Sequence, residues 1–355
     1  ALKSHGLDSN GQLYKINSFE FYRYEDIIKK EDDAGYDKTA FEKMLEIKGD
    51  SDHTKLIDML TDLNDYSIGI EDVLKEHFDE ENIVYWMAFQ ILMGNVDTQN
   101  RNVYLYSPLN SDIWYFIAWD NDGCLMRPEY ELRNFSDQNS WEKGISNYWG
   151  NILFQRCLKS RSFREKLNDA ILDLREYLNK DMLTSKIESY KNVLKPYLYL
   201  MPDAEYEPLT SEQYDQIAAS LPDEIEKNYQ LYLESLETPM PFYIGVPTID
   251  GDKLKFNWDV SYDLDAEDIT YSVEVARDYL FQDVIYQNTT LTVPEAEMDL
   301  PKAGQYFVRV RATNTSGKTQ DAFDYYVTDE GKYYGMRCFY ITEDSTVEED
   351  DYEEG

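Results

Sequence analysis

"NVDTQNRNVYLY", residues 95–106, packs Asp97, Asn100, Arg101 and Asn102 together before it turns into strand-like alternation. After a short gap, "FIAWDNDGCL", 116–125, ends an aromatic strand on Asp120 and Asp122. Asp and Asn are common in loops because their side chains cap turns, so each of these residues taken alone reads first as a turn-former. A calcium loop is the second reading: "DNDG" begins like one, and Glu131 falls at the twelfth position. Cys124 stands where an oxygen ligand belongs and Leu125 where the glycine belongs, which argues against an EF-hand. The third reading is phosphoryl transfer. That chemistry needs an aspartate to orient the attacking hydroxyl, an asparagine five residues later, and a further aspartate one hairpin away to hold divalent metal. Asp97 and Asn102 have the D-x-x-x-x-N interval, and Asp120 follows at the end of the next strand. The interval alone is common; its combination with a strand, a turn, a second strand and W-D-x-D is far more specific.

The elements needed to hold these residues are legible. In "NIVYWMAFQILMGN", 82–95, Ile83, Met87 and Ile91 recur every four residues beside Val84, Ala88 and Leu92, the pattern of a helix with a broad apolar face. Gly94 and Asn95 then stop it, so Asp97 is expected on a loop anchored by a buried helix. "VYLY" and "IWYFIAW" are short, β-branched and aromatic, and "SPLNSD" between them is rich in turn residues. A hairpin follows, and its two open ends return to one place. That return is the reason to treat Asp97, Asn102, Asp120 and Asp122 as one cluster. Trp141 and Trp149 are expected as core anchors.

Composition narrows the partners. The chain has 355 residues and a net charge of −36, which repels nucleic acid and acidic lipid surfaces and repels ATP unless metal ions intervene. No apolar run is long enough to span a membrane. Cys124, Cys157 and Cys338 are far apart and odd in number, and the three histidines are scattered, so neither a disulfide framework nor a structural zinc site is expected.

Residues 1–238 read as one mainly helical region. The helical patterns "ILFQRCLKSRSFREKLNDAILDLREYL" and "EQYDQIAASLPDEIEKNYQLYLESL", the latter broken at Pro222, form its later part. Prolines in "ETPMPFYIGVP" mark a change of period. Short alternating strands follow to about 342 at the spacing of a β-sandwich, and "EDSTVEEDDYEEG", 343–355, reads as a disordered acidic tail. The fold class is therefore α+β.

On "GNVDTQNRNVYLY", "WYFIAWDNDG" and the upstream "NGQLYKI", the chain resembles the spore-coat-protein-H (CotH) kinase family over roughly residues 5–235. The resemblance implies a mainly helical, atypical protein-kinase-like carboxy-terminal lobe with a catalytic β-hairpin. It also implies a secreted, cell-surface or spore-surface setting, and transfer of the ATP γ-phosphate to Ser or Thr of a coat or envelope protein. By position, Asp97 resembles the catalytic aspartate, and Asn102 and Asp120 the pair that holds Mg²⁺ or Mn²⁺. Asp122 is a further metal ligand or a support for one. Arg101 would orient a carboxylate or a phosphate, or serve as a structural salt-bridge partner, and Lys15 is the one lysine in a strand context that could reach phosphate. Asn100 is left as a turn residue, and Trp119 is expected to pack under the site. Only about ninety residues, read as mostly helical, precede the catalytic loop, with no Gly-rich loop and no V-A-I-K strand. An amino-terminal lobe is thus expected to be missing. The competing reading is a non-catalytic surface adhesion or scaffolding protein built on the same fold.

Residues 239–342 resemble a fibronectin type III domain. "LKFNWDVS" carries the core tryptophan, Trp258, and "GQYFVRVRATNTSGKTQ" carries Tyr306 at a core position. Such a module reads as a spacer, or as a contact to a cell surface or glycan; the fold alone does not decide.

Overall fold

The computed structural model describes residues 2–133, 141–329 and 331–349. The fold class is α+β. The chain forms two compact units: among the described residues, 2–133 and 147–232 make the first, and 141–146 with 233–349 the second.

The first unit holds, in order, β1 (Gln12–Ile16), α1 (Lys38–Met44), β2 (Leu45–Ile47), α2 (Thr54–Asn64), α3 (Ile70–His77), α4 (Glu80–Leu92), β3 (Val103–Ser107), β4 (Tyr115–Ala118), α5 (Arg127–Arg133), α6 (Ile152–Lys159), α7 (Arg161–Tyr177), α8 (Lys180–Leu198), α9 (Ser211–Ser220) and α10 (Glu224–Leu236), which runs across the boundary between the units. The expected hairpin is β3 and β4. It is the open half of an antiparallel sheet of order β2-β1-β3-β4. The ninety residues before the acidic loops therefore supply two strands as well as helices. "QLYKI" has the period of a strand, and it pairs along the full length of β3, from Gln12 opposite Ser107 to Ile16 opposite Val103.

One face of this sheet is the core. Tyr14, Ile16, Leu105, Val103 and Phe116 are buried there. Phe116 packs on Phe21, Trp86 and Phe154, with ring centroids 5.0–6.0 Å apart. Helix α4 lies in this core and is buried on nearly every side, which is why its apolar residues run all round. Asp79 caps its start by accepting the Asn82 N–H at 2.9 Å. The first long helical pattern splits into α6 and α7 because Ser160 leaves helical geometry and caps the second helix at Phe163. The second pattern breaks as expected, into α9, a 3₁₀ turn containing Pro222, and α10. Trp149 is buried.

His53 is fully buried beside β1. Its Nδ1 meets the Tyr14 hydroxyl at 2.7 Å, its Nε2 meets the Tyr36 hydroxyl at 3.4 Å, and Phe41 stacks on the ring at 4.2 Å. Burial holds its pKa below 6.5 despite neighbouring carboxylates. The unfolded chain therefore binds the extra proton more readily, and stability falls as pH drops through 6.5 toward the folded value. The expected cost is at most about 1.4 kcal/mol per pH unit in that window. Urea unfolding at pH 7.5 and 5.5 checks this: a His53→Gln variant is expected to lose part of the parent's acid sensitivity.

In the second unit the strands are β5 (Thr248–Asp250), β6 (Lys253–Asn257), β7 (Ile269–Ala276), β8 (Val284–Leu291), β9 (Glu295–Asp299), β10 (Gly304–Asn314), β11 (Thr319–Asp321), β12 (Tyr325–Thr328), β13 (Gly331–Tyr334), β14 (Met336–Ile341) and β15 (Val347–Glu349). They form a sheet β5-β6-β9 and a sheet β15-β14-β10-β7-β8, with β11 on β10 and a separate β12-β13 hairpin. Trp258, Tyr271, Val308, Val310 and Phe339 fill one core between them. Tyr306 is buried in the same core, and its hydroxyl donates to the Lys302 carbonyl at 2.7 Å. Trp141 is buried edge-on against Phe323. The segment expected to be disordered from 343 begins instead with a turn and strand: β15 pairs with β14, Val347 opposite Ile341, because Val347 supplies an apolar side chain and the β14 edge supplies unpaired backbone groups. The rest of that acidic run, 350–355, lies outside the described residues. No described helix is long and apolar enough to cross a membrane.

Candidate functional site

The site begins where α4 stops. Gly94 takes a left-handed conformation, φ +59°, and a Cβ there would lie 2.7 Å from the Asn228 side-chain nitrogen, so both backbone and space require glycine. Asn95 then caps a 3₁₀ turn, Val96–Thr98, by accepting the Asp97 N–H at 3.3 Å. The loop that follows is tied down residue by residue. The Thr98 hydroxyl meets that of Tyr148 at 3.1 Å, and Asn151 donates to the Gln99 carbonyl at 2.9 Å. Asn100 donates to Glu20 at 2.7 Å while its carbonyl accepts from the Phe19 N–H. Asn100, expected as a turn residue, thus also anchors the loop to the segment after β1.

This bracing fixes the Asp97 carboxylate. Its Oδ1 pairs with Arg101 Nη2 at 2.8 Å, and its Oδ2 accepts from Asn102 Nδ2 at 3.2 Å. Both Asp97 and Arg101 are about half exposed, so the pair is an orienting contact rather than a stabilising one. Arg101 is thus ion-paired with a carboxylate of the same loop. Asn102 has φ +58°, a conformation Asn tolerates better than most residues, and it turns the chain into β3.

The ladder returns the second loop to the same end. Val103 pairs with Ala118, so Asn102 and Asp120 flank the last rung of the hairpin. Asp120 is left-handed, φ 56° and ψ 57°, and precedes the 3₁₀ turn Asn121–Gly123. Asp120 and Asp122 are exposed, and among the described residues neither carboxylate has a hydrogen bond or ion pair. Gly123 sits against the first loop: a Cβ on it would lie 2.9 Å from Asn95 Oδ1 and 3.6 Å from the Asp97 Cβ. Burial pushes the nearby Cys124 thiol up to about 11, and the Asp122 charge adds to the rise. Among the described residues, no three carboxylate, imidazole or thiol groups gather into a cage for a metal.

Lys15 lies one rung inside the ladder end, paired with Tyr104 on one side and Glu46 on the other. It shares the half-buried outer face of the sheet with Tyr104 and Ile117. Its ammonium has no ion pair among the described residues. Trp119 does not pack beneath the loops: it is 44 % exposed and stands edge-on to Tyr104 at 5.1 Å. The reason is alternation, since Ile117 and Trp119 point away from the face that carries Phe116.

Three residues join the two loops: Gln90 and Asn121, which the sequence reading passed over, and Asn95, which it read only as a helix stop. Gln90, fully buried on α4, donates to Asn121 Oδ1 at 3.1 Å. Asn95 donates to Gln90 Oε1 at 3.0 Å and to Asn121 Oδ1 at 3.3 Å. The available signal was an amide, Gln90, within the apolar run 83–92 of α4.

The family model described as "CotH kinase protein" matches residues 1–232, a span that contains both acidic loops and the sheet that carries them. No curated protein matches the chain. Among solved structures, the chain is similar to "surface layer protein SbsC, domains 1-6" at 11 % identity and a TM-score of 0.16, covering 93 % of this chain and 41 % of that one. A likeness at that score carries no argument about fold or activity. The family match, which spans well over half of the sequence, does: the chain belongs to the CotH kinase protein family.

Proposed function

We propose that the first unit is the catalytic part of a CotH-type phosphotransferase that moves the γ-phosphate of ATP to Ser or Thr hydroxyls of a coat or envelope protein at a cell or spore surface. The observation that carries this reading is the meeting of the two loops: Asp97 fixed by Arg101 and Asn102, with Gly123 of the second loop seated against it. In that role Asp97 accepts the proton of the attacking hydroxyl. Arg101 holds one carboxylate oxygen and Asn102 the other, so the direction of the acceptor lone pairs is set before substrate arrives.

The donor set suits Mg²⁺ or Mn²⁺. These hard cations take oxygen ligands, and Mg²⁺ is held by one or two carboxylates together with substrate phosphates and water rather than by an all-protein cage. Asp120 has an unengaged carboxylate, and the amide of Asn102 has its oxygen free while its nitrogen is bonded to Asp97. Asp120 and Asn102 would hold the metal, with Asp122 adding a ligand or a supporting charge. When bound, the cation neutralises phosphate charge, which a chain of net charge −36 otherwise repels. Lys15, cationic and unpaired on the neighbouring sheet face, is the side chain assigned to phosphate.

We assign the second unit a fibronectin type III-like role as spacer or surface contact. Its support is the strand order of the two facing sheets and the buried Trp258 and Tyr306.

The test is labelled ATP with Mg²⁺ or Mn²⁺, parent beside Asp120→Ala. Phosphate incorporation is expected in the parent and none in the variant. Equal labelling of both would remove the metal role assigned to Asp120.

A further inference from the structure

The two acidic loops do not touch through their carboxylates; they are joined by amides. Asn95 is bonded through both ends of its side chain, and it also meets the Cys124 thiol. Its oxygen accepts the Asp97 N–H, and its nitrogen is shared between Gln90 Oε1 and Asn121 Oδ1. Asn121 lies between Asp120 and Asp122 in the chain, and its oxygen receives both Gln90 and Asn95. Gln90 is fully buried and Asn95 nearly so. A second tie follows, where the Leu125 N–H donates to the Met93 carbonyl at 2.8 Å. Gly123 lies so close to Asn95 that a methyl group there would displace the amide.

A buried amide among apolar neighbours on a helix is costly unless its partners are present. Nothing in the packing of α4 requires Gln90 to be polar, since Met87 and Ile91 beside it fill the same core. Its polarity is used only toward Asn95 and Asn121. We propose that Gln90, Asn95 and Asn121 form a clasp that sets the separation of Asp97 from Asp120 and Asp122, and that Gln90 and Asn95 are positioning residues for the divalent-cation site. This inference rests on the proposed phosphotransferase reading for its purpose, but the clasp itself is a property of the loops.

Two readouts separate the clasp from that reading. Gln90→Met keeps volume and removes both bonds. Asn121→Asp keeps the accepting oxygen. Hydrogen exchange followed by mass spectrometry is expected to show segments 95–99 and 120–125 of Gln90→Met exchanging together at least about tenfold faster than in the parent, with β1 unchanged. Asn121→Asp is expected to stay within about threefold of the parent. Calorimetric Mn²⁺ titration is expected to give about a tenfold weaker Kd for Gln90→Met and no weakening for Asn121→Asp. Unchanged exchange in either segment of Gln90→Met would overturn the clasp, and faster exchange with an unaltered Mn²⁺ affinity would overturn the positioning role assigned to Gln90 and Asn95. A parent that binds no Mn²⁺ would instead count against the metal reading, and the exchange result would still decide whether the amides hold the loops.

Discussion

Asp97→Asn is expected to lower phosphoryl transfer by about 10³-fold while leaving Mn²⁺ affinity within about twofold of the parent. The asparagine keeps the shape of the side chain and can still accept from Asn102, but it cannot take a proton from the attacking hydroxyl. A positioned general base contributes roughly 10²–10⁴-fold, and the braced loop gives Asp97 the fixed geometry on which that figure depends. The split between rate and metal affinity is the informative part. Asp97 is already engaged by Arg101 at 2.8 Å and Asn102 at 3.2 Å, so the metal is assigned to Asn102 and Asp120, not to Asp97. Arg101→Ala should show a smaller loss, about tenfold, because it loosens the carboxylate without removing it. A drop in Mn²⁺ affinity for Asp97→Asn equal to its drop in rate would instead make Asp97 a ligand.

Arg127→Ala is expected to destabilise the first unit by about 3 kcal/mol, read by urea unfolding. Arg127, at the start of α5, bonds the Asn228 side-chain oxygen at 2.6 Å and lies 3.3 Å from the Glu224 carboxylate. Glu224 is almost fully buried, and its other partner, Lys227, is half exposed. Asn228 in turn donates to the Leu92 carbonyl at the end of α4 and fills the space over Gly94. Removing the guanidinium leaves a buried carboxylate short of its inner partner, which costs far more than the pair contributes when intact. Arg127→Met combined with Glu224→Leu should recover most of the loss, since replacing both charges removes the unpaired one. A loss below 1 kcal/mol for Arg127→Ala would mean that Lys227 alone suffices.

The frame that carries the two loops is legible in the sequence. The helix with apolar residues at 83, 87 and 91, its stop at Gly94 and Asn95, and two aromatic strands around "SPLNSD" are local patterns, and each became the expected element. The hairpin then required Asn102 and Asp120 to share one end, because antiparallel pairing leaves no other arrangement. What could not be read was set by long-range contact. The pairing of "QLYKI" with β3 joins residues 87 to 95 positions apart, and no local pattern encodes that partner. The clasp was missed for the same reason: Gln90, Asn95 and Asn121 are common residue types whose meaning appears only when three backbone segments meet. Trp119 was misplaced because its exposure depends on which sheet face carries the core, and the outward rung of β4 settled that.

The central claim is that the loop before β3 and the loop after β4 make one cation site. Calorimetric titration of Mn²⁺ into the parent, Asn102→Ala, Asp120→Asn and the double variant tests it most directly. Residues that share one ion couple, so their losses do not add. The expected result is one site in the parent, weakened at least about tenfold by either single change, with the double variant little worse than the weaker single. Full parent affinity in either single variant would contradict it, because the two loops would then not hold the same ion.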